Sequence, residues 1–356
     1  MISLDNLIQE AIEQNASDIH ITPGLPIIFR VVGDLHPYSN ERVTIDEMKE
    51  LVFKITNQRQ RELLATLEDV DFAYETTGET RIRANIYHQR NNFALALRIL
   101  KNYVPSMEEL GLPEETLQKL CMRKSGLILV TGPTGSGKST TLASMIDYIN
   151  RHKRSHIITL EDPIEYIHNT KRSLVSQREL GTDLNSFASG LRASLREDPD
   201  VILVGEMRDY ETIALAITAA ETGHLVLSTL HTTSAAQTVD RIIDVFPQGQ
   251  QNQVRTQLAT VLLAVMSQQL TPNIDNTNRC CALEIMIRND AIANLIRENN
   301  SHQIESTIVT QSARGMQIMD LALARLVNND KIKYETGLEY STDKNVFKNY
   351  VDRNMI

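Results

Sequence analysis

The apolar and polar positions divide the chain into two patterns that meet near residues 101–112. In 3–16, Leu4, Leu7, Ile8, Ala11 and Ile12 recur at helical spacing, with Ser3 as the expected N-cap. Residues 19–21 and 26–32 read as strands, with Gly33-Asp34 as a turn, and 46–56 and 58–67 read as helices. A strand meander follows: 70–75, a Thr-Thr-Gly turn at 76–78, 81–88, a turn at Asn91-Asn92, and 93–100. Residues 1–101 therefore predict a small α+β domain. Pro105 and Pro113 bracket a linker over 102–111, with one helical turn at 106–110.

From 112 onward strands alternate with helices, the strands falling at 127–130, 156–160, 201–204 and 225–228. The middle two are continuous apolar runs, as expected of a parallel sheet covered on both faces. The pattern at 248–269 is helical, 272–278 is a polar loop, the region from about 289 is mostly helical, and the tail from 342 is weakly patterned. The fold class is α/β, a parallel-sheet domain over 112–356 behind the α+β domain.

Composition narrows the partners. With 36 basic and 45 acidic residues the net charge is −9, aromatic residues make up 5%, and Trp is absent. That balance argues against nucleic acid as a general partner. No apolar stretch approaches the roughly 20 residues that span a bilayer. The first eleven residues carry Asp5 and Glu10 without Lys or Arg, unlike a secretory signal. Cys121, Cys280 and Cys281 are too few for a disulfide framework or a four-cysteine zinc site. These features predict a soluble cytoplasmic protein.

The chemistry centres on Gly132-Pro133-Thr134-Gly135-Ser136-Gly137-Lys138-Ser139, which fits G-x-x-x-x-G-K-[ST] between a predicted strand and a predicted helix. Gly132, Gly135 and Gly137 let the backbone approach an anion, and its amides and the helix N-terminus face phosphate. Thr134, Ser136 and Thr140 complete the expected nucleotide cradle. Lys138 reaches the β- and γ-phosphates of ATP, and the Ser139 hydroxyl ligates Mg²⁺.

Two apolar strands run into acids: 156–160 into Glu161-Asp162-Pro163-Ile164-Glu165, and 201–204 into Gly205-Glu206. Ligands of open α/β sheets bind at the carboxyl ends of the strands, so both groups are expected beside the phosphate loop. Glu206 is the first choice to position the attacking water or support the metal, with Glu161 and Glu165 as competitors. Asp162, held extended by Pro163, reads as structural. Arg81 and Arg83 share one face of a strand, and Arg98 interrupts an apolar run. A guanidinium in such a run calls for an anion, and the γ-phosphate is one candidate beside an ordinary ion pair. Arg192 and Arg196, four residues apart, predict a shared helix face, either for a neighbouring subunit or for solvent. His231, past the end of 225–228, is placed to sense the γ-phosphate or to serve as a hydrogen-bonded structural residue.

Together these residues resemble the secretion ATPase superfamily that powers type II secretion and type IV pili, and within it the PilT-type retraction (twitching motility) ATPases. The resemblance rests on Ser17-Asp18-Ile19-His20, the phosphate loop, the acidic box at 161–165, and Leu195-Arg196-Glu197-Asp198-Pro199-Asp200. It continues through Val204-Gly205-Glu206-Met207-Arg208-Asp209, the histidine box at 223–233, Ala291-Ile292-Ala293-Asn294-Leu295-Ile296-Arg297-Glu298, and Gly315-Met316-Gln317-Ile318-Met319-Asp320. The 291–298 segment and the absence of a four-cysteine zinc insertion point to retraction rather than extension or secretion motors. Ala293 departs from the pattern, which carries a basic residue there. The resemblance implies a homohexameric ring with a PAS-like N-terminal domain and a RecA-like P-loop domain with trailing helices. It implies ATP at the domain interface, Arg83 and Arg98 reaching it from the N-terminal domain, and Glu206 as the Walker B glutamate. It also implies docking on an inner-membrane platform protein at the pilus base, hence a place on the cytoplasmic face of the membrane. The rival readings are an extension or secretion motor, a RecA-like DNA translocase, and a nucleotide-gated scaffold that does not hydrolyse ATP.

Overall fold

The computed structural model describes residues 3–31, 33–76, 80–99 and 103–352. Val32, Thr77, Gly78, Leu100, Lys101 and Asn102, at which the sequence predicts strand ends, a turn and a domain boundary, lie outside the described residues. Met1–Tyr103 with Pro163–Ile167 forms one compact unit, and Val104–Asp162 with His168–Ile356 forms the other.

The N-terminal unit contains α1 (Leu4–Glu13), β1 (Ala16–Ile21), β2 (Pro26–Val31), β3 (Asp34–Arg42), α2 (Ile45–Ile55), α3 (Gln58–Ala65), β4 (Val70–Glu75), β5 (Arg81–Gln89) and β6 (Asn92–Ile99). The strands form an antiparallel sheet in the order β3-β2-β1-β6-β5-β4. Its core gathers Leu4, Leu7 and Ile8 of α1 and Met48 and Leu51 of α2 with Phe29, Ile82 and Ile86 of the sheet. Both α2 and α3 begin with complete capping boxes, Thr44 with Glu47 and Asn57 with Gln60, which satisfy first-turn amides. Ser3 stands at the N-cap of α1, but its side chain makes no capping bond. Strand β3 escapes the sequence pattern because, as an edge strand carrying Pro37, it is exposed on both faces and shows no alternation. The β5–β6 turn is Arg90-Asn91, one residue earlier than predicted; both have left-handed backbone, at φ 48° and 61°.

The second unit continues with α4 (Glu114–Cys121), β7 (Gly126–Thr131), α5 (Lys138–His152), β8 (His156–Glu161), β9 (Leu174–Glu179), α6 (Phe187–Ser194), β10 (Val201–Val204), α7 (Tyr210–Glu221) and β11 (Leu225–Leu230). Then come α8 (Ala235–Asp244), α9 (Gln251–Val261), β12 (Leu262–Pro272), β13 (Arg279–Ile287), α10 (Asp290–Arg297), α11 (Ile304–Thr310), α12 (Met319–Asn328), α13 (Tyr334–Tyr340) and α14 (Lys344–Asp352). The sheet order is β13-β12-β7-β11-β10-β8-β9, and only the β12–β13 pair is antiparallel. Apolar layers cover both faces, with Leu127, Leu129 and Ile202 on one side and Ile128, Val130 and Leu203 on the other.

The helix predicted over 248–269 is a correction. It ends at Val261, and Leu262 begins an 11-residue strand beside β7. An unbroken apolar run such as Leu262-Leu263-Ala264-Val265-Met266 carries no period that separates a buried strand from a buried helix. The tail is a second correction: α14 places Phe347 and Val351 at full burial against Met319, Leu323 and Ile332. A Cβ built on Gly337 would lie 2.6 Å from the Phe347 ring, so the glycine admits the ring. Phe347→Ala is therefore expected to lower stability by about 3–5 kcal/mol in urea unfolding, the usual cost of emptying an aromatic site. A loss under about 1 kcal/mol would mean that α14 adds little to the fold.

Candidate nucleotide site

Strands β7, β11, β10 and β8 are parallel and in register, so Thr131, Leu230, Val204 and Leu160 finish along one edge of the sheet. The phosphate loop leaves β7, His231 follows β11, Glu206 follows β10, and Glu161 closes β8. With neighbouring strands about 4.8 Å apart, Glu206 starts about 10 Å from the root of the loop, with His231 between them.

Gly137 is the N-cap of α5 at φ 86°, and no side chain caps that 15-residue helix. A helix N-terminus that follows a glycine turn in this way is suited to an anion. Lys138 Nζ donates to Gly132 O at 2.8 Å and to Pro133 O at 3.0 Å, which holds the ammonium across the loop. Thr134, Gly135 and Ser139 are exposed, Thr140 is half-buried, and Ser136 is buried. Gly132 is needed for space as well as for its φ of 141°: a Cβ there would stand 2.3 Å from Gln268 O.

Glu206 Oε1 accepts from Arg208 Nε at 2.5 Å, and His231 Nε2 lies 2.8 Å from the same oxygen. Among the described residues no bond is made to Oε2, the oxygen that this arrangement leaves to orient a water. A cavity of about 350 Å³ lined by Glu206, Arg208, His231, Thr232 and Arg241 opens beside it. The structure thus brings two predicted residues, Glu206 and His231, into direct contact and adds Arg208, whose only signal in the sequence was its place two residues after Glu206.

The acidic box is divided. Glu161 belongs to the sheet unit, where its Oε1 accepts from Thr159 Oγ1 at 2.6 Å and from Gln177 Nε2 at 3.0 Å. Glu165, half-buried, belongs to the 163–167 segment that groups with the N-terminal unit, where Ile164 O accepts from Arg81 Nε at 2.9 Å. Within that unit Arg83 pairs with Asp71 at 2.6 Å and Arg98 with Asp18 at 2.9 Å. Of the readings left open for Arg98, the structure shows the ion pair, with a side chain 65% exposed on the face of β6 opposite Leu95 and Leu97. The helix face expected for Arg192 and Arg196 is also corrected. Helix α6 stops at Ser194, ahead of the left-handed Asp198 and of Pro199, and Arg192 instead pairs with Glu211.

Under the histidine box, Glu284 of β13 is buried, and its Oε1 accepts from Ala235 N at 2.6 Å at the start of α8. Burial pushes its carboxyl up from 4.5 to about 7, against the pull of the Ala235 amide. The folded protein therefore retains a proton that the unfolded chain releases, and stability falls as pH rises from about 4.5 through 7. Between about pH 5 and pH 9, Glu284→Gln is expected to gain on the order of 3 kcal/mol relative to the unmodified protein, read as the difference between their urea unfolding curves. Parallel curves would show that Glu284 does not titrate in this way.

Residues 1–349 match the family of type II/IV secretion system proteins. A match over nearly the whole length, with the phosphate loop and Glu206 on one sheet edge, makes the chain a P-loop ATPase of that family. Within it, the chain is 46% identical over 338 residues to the "Type IV pilus retractation ATPase PilT" of Pseudomonas aeruginosa, covering 95% of this chain and 98% of that protein. It is 48% identical over 326 residues to the "Twitching motility protein" of Neisseria gonorrhoeae, covering 92% and 87%. A crystal structure of the pilus retraction motor PilT with bound ADP has the same fold, at a TM-score of 0.90 and 47% identity over 98% of this chain and 100% of that one. The likeness is thus to the retraction ATPases.

Proposed function

We propose that the chain drives type IV pilus retraction as a homohexameric ATPase ring acting on the inner-membrane platform protein at the pilus base. The observation that carries this is the full-length likeness to retraction ATPases in a chain whose phosphate loop, His231 and Glu206 follow three adjacent parallel strands. No described helix is long and apolar enough to cross a membrane, which agrees with a peripheral place.

In this reading the loop amides and Lys138 hold the β- and γ-phosphates of ATP. Glu206, oriented by Arg208 and His231, presents Oε2 to the attacking water. Glu161 is the second carboxylate at the edge, and Glu165 acts from the other unit. Arg83 and Arg98 neutralise the transferring phosphoryl group, exchanging their carboxylate partners for it. The exposed Ser139 hydroxyl at the first turn of α5, with Glu206 nearby, is the oxygen-donor chemistry that Mg²⁺ accepts, and the bound ion would supply charge neutralisation across the phosphates.

A strain lacking the chain should carry surplus pili that fail to retract. The intact gene should restore retraction, and the Lys138→Ala form should not. A strain without pili would instead indicate an extension motor, and ATP hydrolysis stimulated by DNA would indicate a translocase.

A further inference from the structure

We propose that Gln268 is a positioning residue for nucleotide binding, its side-chain amide setting the Ser136–Gly137 peptide so that the Gly137 N–H faces the phosphates. The inference rests on the phosphate loop being the ATP site. Gln268 lies on β12, beside β7, and is 3% exposed. Both ends of its amide are used on the loop and on the helix that follows. Nε2 donates to Ser136 O at 2.7 Å, and Oε1 accepts from the buried Thr141 Oγ1 at 2.8 Å.

The consequence follows from peptide planarity. In a trans peptide the carbonyl of one residue and the N–H of the next point in opposite directions. Drawing the Ser136 carbonyl inward onto Gln268 therefore turns the Gly137 N–H outward, to the open side of the loop. Two further bonds bracket this peptide without fixing it: Ser136 N to Pro133 O at 3.2 Å on the peptide before, and Thr141 N to Gly137 O at 3.0 Å on the peptide after. The loop is moulded closely on this residue: a Cβ on Gly132 would lie 2.3 Å from Gln268 O, and one on Gly137 would lie 2.8 Å from Gln268 Nε2. A neutral amide of this length both donates to a carbonyl and accepts from a hydroxyl. A carboxylate lacks the donor, and an ammonium lacks the acceptor.

The test measures the affinity of full-length protein for a fluorescent ADP analogue. Gln268→Met, similar in length and without hydrogen bonds, is expected to weaken binding at least about tenfold, whereas Thr141→Val, which leaves the bond to Ser136 intact, should stay within about threefold. Gln268→Glu supplies a rescue that a purely structural role would not produce. Protonated, its O–H donates to Ser136 O; ionised, it cannot. Its dissociation constant relative to the unmodified protein should therefore rise at least about tenfold from pH 5.5 to 9. Folded Gln268→Met binding within about twofold of the unmodified protein overturns the inference. If that variant does not fold, a flat ratio for Gln268→Glu across the pH range overturns it. Lys138→Ala separates the premise: undiminished binding there would remove the loop as the nucleotide site, a different failure from that of Gln268.

Discussion

Glu206→Gln is expected to cut steady-state ATP hydrolysis by at least about a hundredfold while leaving ATP affinity within about threefold. The amide keeps the shape of the side chain and can still accept from Arg208. It loses the charge that orients and polarises a water and the basicity to take its proton. In the proposed site ATP is held mainly by loop amides and Lys138, two strands away along the sheet edge, so binding has no reason to follow turnover. Phosphate release and equilibrium nucleotide binding, measured on the same preparation, separate the two quantities. Turnover within about threefold of the unmodified protein would take the water-positioning role from Glu206. Glu161, held by Thr159 and Gln177 at the end of β8, would then be the carboxylate to test.

Arg83→Ala and Arg98→Ala are each expected to lower turnover by about 10³, with little change in nucleotide affinity or in unfolding free energy. Both arginines already have carboxylate partners, but magnitudes leave them available. The Arg98–Asp18 pair has a guanidinium that is 65% exposed, and Arg83 and Asp71 are each 38% exposed. Ion pairs of that exposure contribute about 0–1 kcal/mol, far less than an arginine aimed at a transferring phosphoryl group. Asp18 sits lower than an ordinary aspartate: desolvation raises its carboxyl, but bonds from Ser17 and Arg98 outweigh it. It therefore stays ionised and paired with Arg98 at neutral pH, losing that hold only as pH falls through its depressed value. Asp18→Asn should have a much smaller effect than Arg98→Ala. Unchanged turnover in both alanine variants would refute the charge-neutralising role, and a stability loss above about 2 kcal/mol would assign them a structural one.

Legibility in the sequence followed the range of the interaction. The phosphate loop was readable because all its parts, the glycines, Lys138, Ser139 and the flanking strand and helix, lie within one local stretch. Glu206 and His231 were readable as strand-end residues, since a parallel sheet aligns the ends of its strands. Their mutual contact was not, for it joins residues 25 positions apart through the order β11-β10. Gln268 was hidden twice: its apolar surroundings imitate a helix, and the polar pair Ser267-Gln268 acquires meaning only when β12 lies against β7. The polar pair within an apolar run was the available signal, because a buried amide requires partners. Arg98 stayed open for the opposite reason. Its apolar neighbours gave no sign of which anion it meets, whereas the strand's alternation turned that position to solvent beside Asp18.

The amino-acid sequence alone determined the fold class, the anion-binding turn and the family, because each is written in contiguous residues with a local physical meaning. Only the tertiary structure decided which oxygen of Glu206 is committed to Arg208 and His231, which carboxylates hold Arg83 and Arg98, and what lies beneath the phosphate loop. Those are relations between strands and helices distant in sequence, and packing and hydrogen-bond satisfaction select them only when the sheet has assembled.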